Sequence, residues 1–363
     1  MSTPICDFVR GYCESVLLRL HMPGHKGRGE LGCEALDITE VPGADDLACP
    51  EGVILESEEN TTELFGSRHS FYCTGGSSQC VKAMLHLAYL FRPEGTGNCI
   101  LAARNAHKSF LHGCALLGLE PRWLYPEAGT PLCSCPVSPA ALERALQTGE
   151  RPFTVYITSP DYLGGVQDIA ALAEVCHRHG LPLLVDNAHG AYLKFLEPSR
   201  HPLDLGADMC CDSAHKTLPV LTGGAYLHVS ERAQAAFEAE ARHSLAVFGS
   251  SSPSYLILQS LDLCADRLDK DYPALIRATE RKVAELAREL GLRPPEGDPL
   301  KLAIPSCDFG CTGFELASCL RDWRTVAEYA DEDWLVLMFS PGLEEGAFEH
   351  VRRAMPLRRP GSR

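Results

Sequence analysis

Pro182-Leu-Leu-Val-Asp-Asn-Ala-His-Gly190 is a short apolar run that closes on a carboxylate and an imidazole just before a glycine. A run of this length with such an ending predicts a buried strand that delivers Asp186 and His189 to a loop at its C-terminal end. Open α/β sheets place their chemistry at that edge. Asp212-Ser-Ala-His-Lys-Thr217 repeats the pattern, because Met209-Cys-Cys211 predicts a second strand and a Ser, a His and a Lys follow it.

An acid and an amine at two strand ends suit a cofactor held at both of its ends. Pyridoxal 5′-phosphate (PLP) requires this set: a lysine for the Schiff base, an acid to keep the pyridine nitrogen protonated, and N–H groups with hydroxyls for the phosphate. Lys216 and Asp186 match the first two requirements. Taken singly, each also suits a plainer reading, Asp186 as a helix cap and Lys216 as a solvated lysine.

Further strands and helices alternate on both sides of these motifs. Phe71-Tyr-Cys-Thr-Gly-Gly-Ser-Ser78 reads as a strand and a glycine turn, and helical periodicity follows over 81–91. Such a turn faces the unpaired N–H groups and the positive dipole end of the helix, which makes Gly76, Ser77 and Ser78 phosphate candidates as well as simple caps. A strand over 98–102 delivers Arg104-Asn-Ala-His-Lys-Ser109, where His107 suits stacking on a flat ring, proton transfer or a structural hydrogen bond. Helices are predicted over 6–20, 54–65, 110–117, 139–148 and 169–179, and strands over 154–158 and 223–229. Ser159-Pro-Asp-Tyr-Leu-Gly-Gly165 forms another polar loop. The order predicts a mostly parallel sheet with helices on both faces.

Beyond Tyr255 the chain has long helical periodicity to Leu290. A strand over 300–304, a helix over 313–320 and a strand over 334–339 then predict a small α+β unit. The expected division is an N-terminal arm and helix over 1–45, a large domain over 46–265 and a small domain over 266–363.

The chain has 363 residues, 45% of them hydrophobic, enough for one large and one small domain. Thirty-three Lys and Arg stand against 48 Asp and Glu, a net charge of −15. That balance disfavours nucleic acid and anionic membranes and suits a cationic small molecule. Seventeen cysteines occur without a signal-like opening or a run of transmembrane length, so reduced thiols in a cytoplasm are expected. Cys133, Cys135, Cys307 and Cys311 lack paired zinc-finger spacing, and no metal is expected. His177 and His179, two apart on a helix, are expected to be solvated.

His21-Met-Pro-Gly-His-Lys-Gly27, Thr39-Glu-Val-Pro-Gly43, Asp45-Asp-Leu47, Arg104-Asn-Ala-His-Lys-Ser109, Asp186-Asn-Ala-His-Gly190, Ser213-Ala-His-Lys-Thr217 and Ser252-Pro-Ser-Tyr255 occur in this order. Together they resemble the bacterial ornithine/lysine/arginine decarboxylases, PLP enzymes of fold type I, the aspartate aminotransferase fold. The resemblance implies decarboxylation of a basic L-amino acid, with polyamine biosynthesis or acid resistance as context. It implies that Lys216 carries the cofactor, Asp186 pairs with the pyridine nitrogen and His107 stacks on the ring. It also implies that Ser77, Ser78 and Ser213 hold the phosphate, with His215 beside them and His189 near the phenolic oxygen. Glu328 resembles a family Glu position and is expected to face the cleft.

Asn187 stands where the family usually has Glu, and Asp161 where it usually has Thr. With Glu328 and Asp331, Asp161 is an expected substrate-side carboxylate. The chain is shorter than typical members, and a homodimer with shared active sites is the expected assembly. Transamination or elimination on the same fold, or a non-catalytic regulator, are the competing expectations.

Overall fold

The computed structural model describes residues 1–357, which divide into two compact units. One comprises Met1–Ser159 and Gln167–Lys270; the other comprises Pro160–Val166 and the chain from Asp271 onward. Residues 1–45 are part of the first unit, in which Ile5 and Val9 are fully buried and the Cys6 N–H donates to Asp262 Oδ2 at 2.9 Å. Pro160–Val166 leaves the first unit for the second, where the buried Lys301 Nζ donates to the Asp161 carbonyl at 3.1 Å.

In the first unit, α1 (Pro4–Glu14) and α2 (Val53–Phe65) precede β1 (His69–Cys73) and α3 (Ser77–Leu90). Then come β2 (Cys99–Ala103), α4 (Lys108–Leu117), β3 (Glu120–Leu124), α5 (Pro139–Leu146), β4 (Val155–Thr158) and α6 (Ile169–Arg178). The unit continues with β5 (Leu183–Asp186), β6 (Met209–Asp212), the one-turn α7 (Ala214–Thr217), β7 (Ala225–Val229), α8 (Ala235–Val247) and α9 (Tyr255–Asp269).

The seven strands lie in the order β1-β7-β6-β5-β4-β2-β3. β2 through β6 pair in parallel, while β7 runs antiparallel to both β1 and β6. The mostly parallel α/β sheet expected from the alternating pattern is therefore present. Period-two alternation divides its side chains between two cores. Ile100, Ala102, Tyr156 and Leu184 pack with α3, α4 and α8, whereas Leu101, Ala103, Val155, Ile157, Leu183 and Val185 pack with α5 and α6. Buried on both faces, the strands read as continuous apolar runs.

α1 ends at Glu14, short of the expected Leu20. Val16 adopts φ 52°, a left-handed conformation that a β-branched residue enters only where a helix has stopped, so Leu17 and Leu20 are exposed and form no buried stripe. The periodicity between Tyr255 and Leu290 resolves into two helices, because the chain turns at Lys270 and restarts with Pro273 in the first turn of α10 (Tyr272–Glu289).

The second unit contains α10, β8 (Lys301–Pro305), α11 (Gly313–Asp322), β9 (Tyr329–Ala330), β10 (Trp334–Met338) and α12 (Ala347–Ala354). Its sheet, in the order β8-β10-β9, is antiparallel throughout. α11 starts with a capping box in which Thr312 and Glu315 satisfy each other's backbone N–H. The small α+β unit is as the sequence predicts, with β9 and α12 as additions.

Candidate functional site

Both opening motifs reach the same edge of the first unit's sheet. β1, β5 and β6 run in one direction, since β7 is antiparallel to both β1 and β6, and each ends there in a polar loop.

Asp186, the last residue of β5, is 3% exposed. The Tyr156 hydroxyl donates to its Oδ2 at 2.9 Å, and the Ala188 N–H donates to Oδ1 at 3.2 Å. Burial, then the adjacent Asp186 charge, pushes the Tyr156 hydroxyl far above its ordinary value, so it remains a donor. Tyr156 belongs to the neighbouring strand β4, paired with Leu184 in register. Sequence reasoning passed over it, because only the strand order brings β4 beside β5.

Lys216 lies in α7, and its Nζ is 3.2 Å from His189 Nε2. The amine of one motif thus meets the imidazole of the other. Ser213, one residue ahead of α7, donates through Oγ to Ser77 Oγ at 2.6 Å, which joins the end of β6 to the first residue of α3. Gly76 caps α3 at φ 70°, a conformation that favours glycine. Its N–H donates to the Gly223 carbonyl at 2.8 Å, which ties the turn to the approach to β7. Ser77 and Ser78 open the helix, where N–H groups lack helical acceptors. His215 Nδ1 lies 3.0 Å from the Gly224 carbonyl. A carbonyl only accepts, so that nitrogen carries the proton and, in the neutral ring, Nε2 is left as an acceptor.

His107 is exposed and caps α4, accepting the Ser109 N–H at Nδ1, 3.3 Å away. Burial of part of the ring lowers its pKa first. Asp186 opposes that shift, and the charges of Lys216 and Lys108 add to it. The net direction is downward, which favours a neutral imidazole at pH 7.

These groups fit PLP. An amine, a buried carboxylate with its own donor, and two facing hydroxyls at a glycine-capped helix start stand at one sheet edge. A Cβ added to Gly76 would meet nothing closer than His215 Cε1 at 3.9 Å, so the turn also leaves room.

The remaining expected residues belong to the second unit. Asp161 is 2% exposed, and its Oδ1 accepts the N–H groups of Leu163 at 2.9 Å and Gly165 at 2.8 Å. This carboxylate shapes its own loop, as short acids do in turns. Asp331 likewise accepts the N–H groups of Asp333 and Trp334 through Oδ1 and the Tyr329 hydroxyl through Oδ2, at 2.9, 2.7 and 2.7 Å. It holds the turn between β9 and β10. Glu328 differs from both, being exposed and accepting the Tyr162 hydroxyl at 2.8 Å.

His177 and His179 are not merely solvated. They pair with Asp208 at 3.0 Å and Glu143 at 2.8 Å.

The model of the major domain of the Orn/Lys/Arg decarboxylases matches residues 3–288. The chain belongs to this family. Among its relatives, the uncharacterized protein YaaO of Bacillus subtilis is 31% identical over 365 residues, spanning 94% of this chain and 75% of that protein. The arginine decarboxylase of Halalkalibacterium halodurans is 29% identical over 382 residues, spanning 97% and 76%. The constitutive lysine decarboxylase of E. coli superposes with a TM-score of 0.79 at 19% identity, which shows a shared fold, that of the type I PLP enzymes. That match covers 98% of this chain and 60% of the lysine decarboxylase chain, so this family member spans less than two thirds of that protein's length. No helix among the described residues is long and apolar enough to cross a membrane.

Proposed function

We propose that this chain is a PLP-dependent decarboxylase that converts a basic L-amino acid, arginine, lysine or ornithine, into its amine and CO₂. The observation that carries the proposal is the meeting of Lys216 with His189 beside the buried Asp186, at the edge where Ser77 and Ser213 face each other. Family membership supports the reaction class and leaves the choice among the three substrates open.

Bound PLP supplies an electron-accepting ring for the pair left when the carboxylate departs. Lys216 is the residue that would hold the cofactor covalently. Asp186, kept in place by the Tyr156 hydroxyl, would set a negative charge against the pyridine nitrogen and keep that nitrogen protonated. The Gly76 turn, Ser77, Ser78 and Ser213 bind the phosphate through hydroxyls and helix N–H groups, with His215 beside them. His189, 3.2 Å from the Lys216 amine, would face the cofactor's phenolic oxygen. His107 would stack on the ring, and His107 or Lys216 would supply the proton that replaces the departing carboxylate. A cytoplasmic homodimer with shared sites is the proposed assembly.

Incubation of the PLP-loaded protein with arginine, lysine and ornithine in turn, with CO₂ and amine measured by mass spectrometry, tests the proposal. One of agmatine, cadaverine or putrescine is expected together with CO₂. Cofactor uptake without CO₂ from any of the three, or formation of an oxo acid instead, overturns it.

A further inference from the structure

Beneath the strand ends lies a buried polar cluster that the proposed chemistry does not use. Asp212, the last residue of β6, is fully buried, as are Asn187, His201 and His228. Asn187 Nδ2 donates to Asp212 Oδ1 at 2.6 Å. His201 Nε2 and His228 Nε2 lie 3.0 and 3.2 Å from Asp212 Oδ2.

The proton positions follow from the outer partners. The Leu203 N–H donates to His201 Nδ1 at 3.4 Å, so that nitrogen accepts and Nε2 carries the proton toward Asp212. On the other side, Ser70 Oγ is 2.7 Å from His228 Nδ1, and the Ser67 hydroxyl is 2.7 Å from Ser70 Oγ. Each imidazole can therefore stay neutral and donate one proton to the carboxylate. Burial alone would raise the Asp212 pKa, yet the two imidazoles hold it well below the usual carboxylate range, while burial lowers that of His228. The carboxylate accepts three donors from protein groups, while the buried Oδ1 of Asn187 has no hydrogen-bond partner.

The cluster is attached at both sides to proposed cofactor groups. Asn187 follows Asp186 directly, and Asp212 precedes Ser213, whose hydroxyl meets Ser77. The Asn187 N–H also donates to the Cys211 carbonyl at 3.0 Å, so backbone and side chain together tie the end of β5 to the end of β6.

We propose that Asp212 is a positioning residue which, through its hydrogen bond from Asn187, fixes the acid Asp186 and the phosphate-side Ser213 relative to each other. The family's usual Glu at position 187 is replaced here by an amide that donates to an acid on the neighbouring strand. The two ends of the cofactor are thereby set by one buried contact. This inference rests on the proposed PLP site.

The test uses the full chain, apo and PLP-loaded, with three variants: Asn187→Leu, Asn187→Asp, and Asn187→Asp combined with Asp212→Asn. Leucine removes the tie, and a lone second aspartate sets two carboxylates against each other. The double exchange restores one acid and one amide with the hydrogen bond reversed, because the carbonyl oxygen of the amide now at position 212 can accept from both imidazoles while its NH₂ group donates to position 187. Affinity for PLP is read by spectral titration of the apoprotein, kcat and KM are read separately, and the apoprotein unfolding midpoint monitors the fold. The single variants are expected to bind PLP about tenfold more weakly, on the scale of a buried hydrogen bond to a charged group, and to lose kcat more than KM. The double exchange is expected to recover most of the affinity.

Single variants that fold and bind PLP like the unaltered protein overturn the inference. So does a double exchange that recovers nothing, which would assign the effect to charge at position 212. His201, Cys210 and Asp212 also have metal-ligand chemistry and approach one another within 4.8 Å, so one tightly held zinc per chain on elemental analysis would overturn it too. Failure of the unaltered protein to take up PLP would overturn the proposed function itself, a separate outcome.

Discussion

The Tyr156 hydroxyl donates to the carboxylate of Asp186 at 2.9 Å, and both residues are buried on adjacent parallel strands, Tyr156 within β4 and Asp186 at the end of β5. A buried carboxylate needs hydrogen-bond partners, because burial without them is costly. Tyr156 supplies one and the Ala188 N–H another.

Asp186→Asn removes a charge that acts mainly in the transition state, whose loss has a scale of about 2.7–4 kcal/mol, or roughly 10²–10³ in kcat. KM is expected to change little. Steady-state kinetics check this, and an unchanged kcat would remove Asp186 from its proposed role.

Tyr156→Phe keeps the ring and deletes the donor. It is expected to lower kcat by about tenfold, less than Asp186→Asn, because a hydrogen bond to a charged group contributes roughly 1.5–3 kcal/mol. Combining the two changes is expected to cost little more than Asp186→Asn alone, as residues in one chain of contacts are not additive.

Asp161→Ala is expected to lower thermal stability and leave substrate preference unaltered. Two loop N–H groups lose their acceptor, at about 1–3 kcal/mol for an unsatisfied buried group. Asp161→Asn, which keeps one carbonyl oxygen, is expected to recover much of that loss. Calorimetry together with a three-substrate comparison checks both statements, and a changed substrate order would return Asp161 to the binding site.

Stability is expected to decline toward acid pH. Glu58 is fully buried; burial raises its pKa, but Arg242 and His69 outweigh that and hold it below the ordinary value. Asp212 is depressed in the same direction. A carboxylate with a lowered folded pKa contributes stability that is complete above its unfolded value, about 4, and is lost as pH falls through the folded value. His228, lowered by burial, adds a loss that begins below about pH 6.5, where the unfolded imidazole takes up a proton that the folded one refuses. Unfolding midpoints between pH 7 and 3 are expected to fall throughout, and Glu58→Gln is expected to flatten the acid end of that curve.

The strand that carries Asp186 and the one that precedes the Ser213–Lys216 motif were legible in the sequence because a fully buried parallel strand is a plain apolar run with a polar end. The glycine turn before α3 was legible for the same local reason. β3 was not, since Pro121 in Glu120–Leu124 argues against a strand, and an edge position tolerates it. α8 and α12 were also missed, as alanine-rich and charge-rich stretches that give little apolar periodicity by eye.

The three substrate-side acids look alike in sequence and separate only in the fold. Asp161 precedes Gly164 and Gly165, a pattern that suits a side chain turned back on its own backbone, whereas Glu328 meets Tyr162 across a distance of 166 residues. Tyr156 and the Asp212 cluster depend on strand order and register, which no local pattern specifies.

Every role proposed at the sheet edge depends on Lys216 holding the cofactor. Borohydride reduction of the PLP-loaded protein, followed by proteolysis and mass spectrometry, locates the lysine that does so. One pyridoxyl phosphate adduct per chain is expected, on the peptide that contains Lys216, and none in Lys216→Ala. An adduct on another lysine in the unaltered protein, or no adduct despite bound PLP, would refute the assignment.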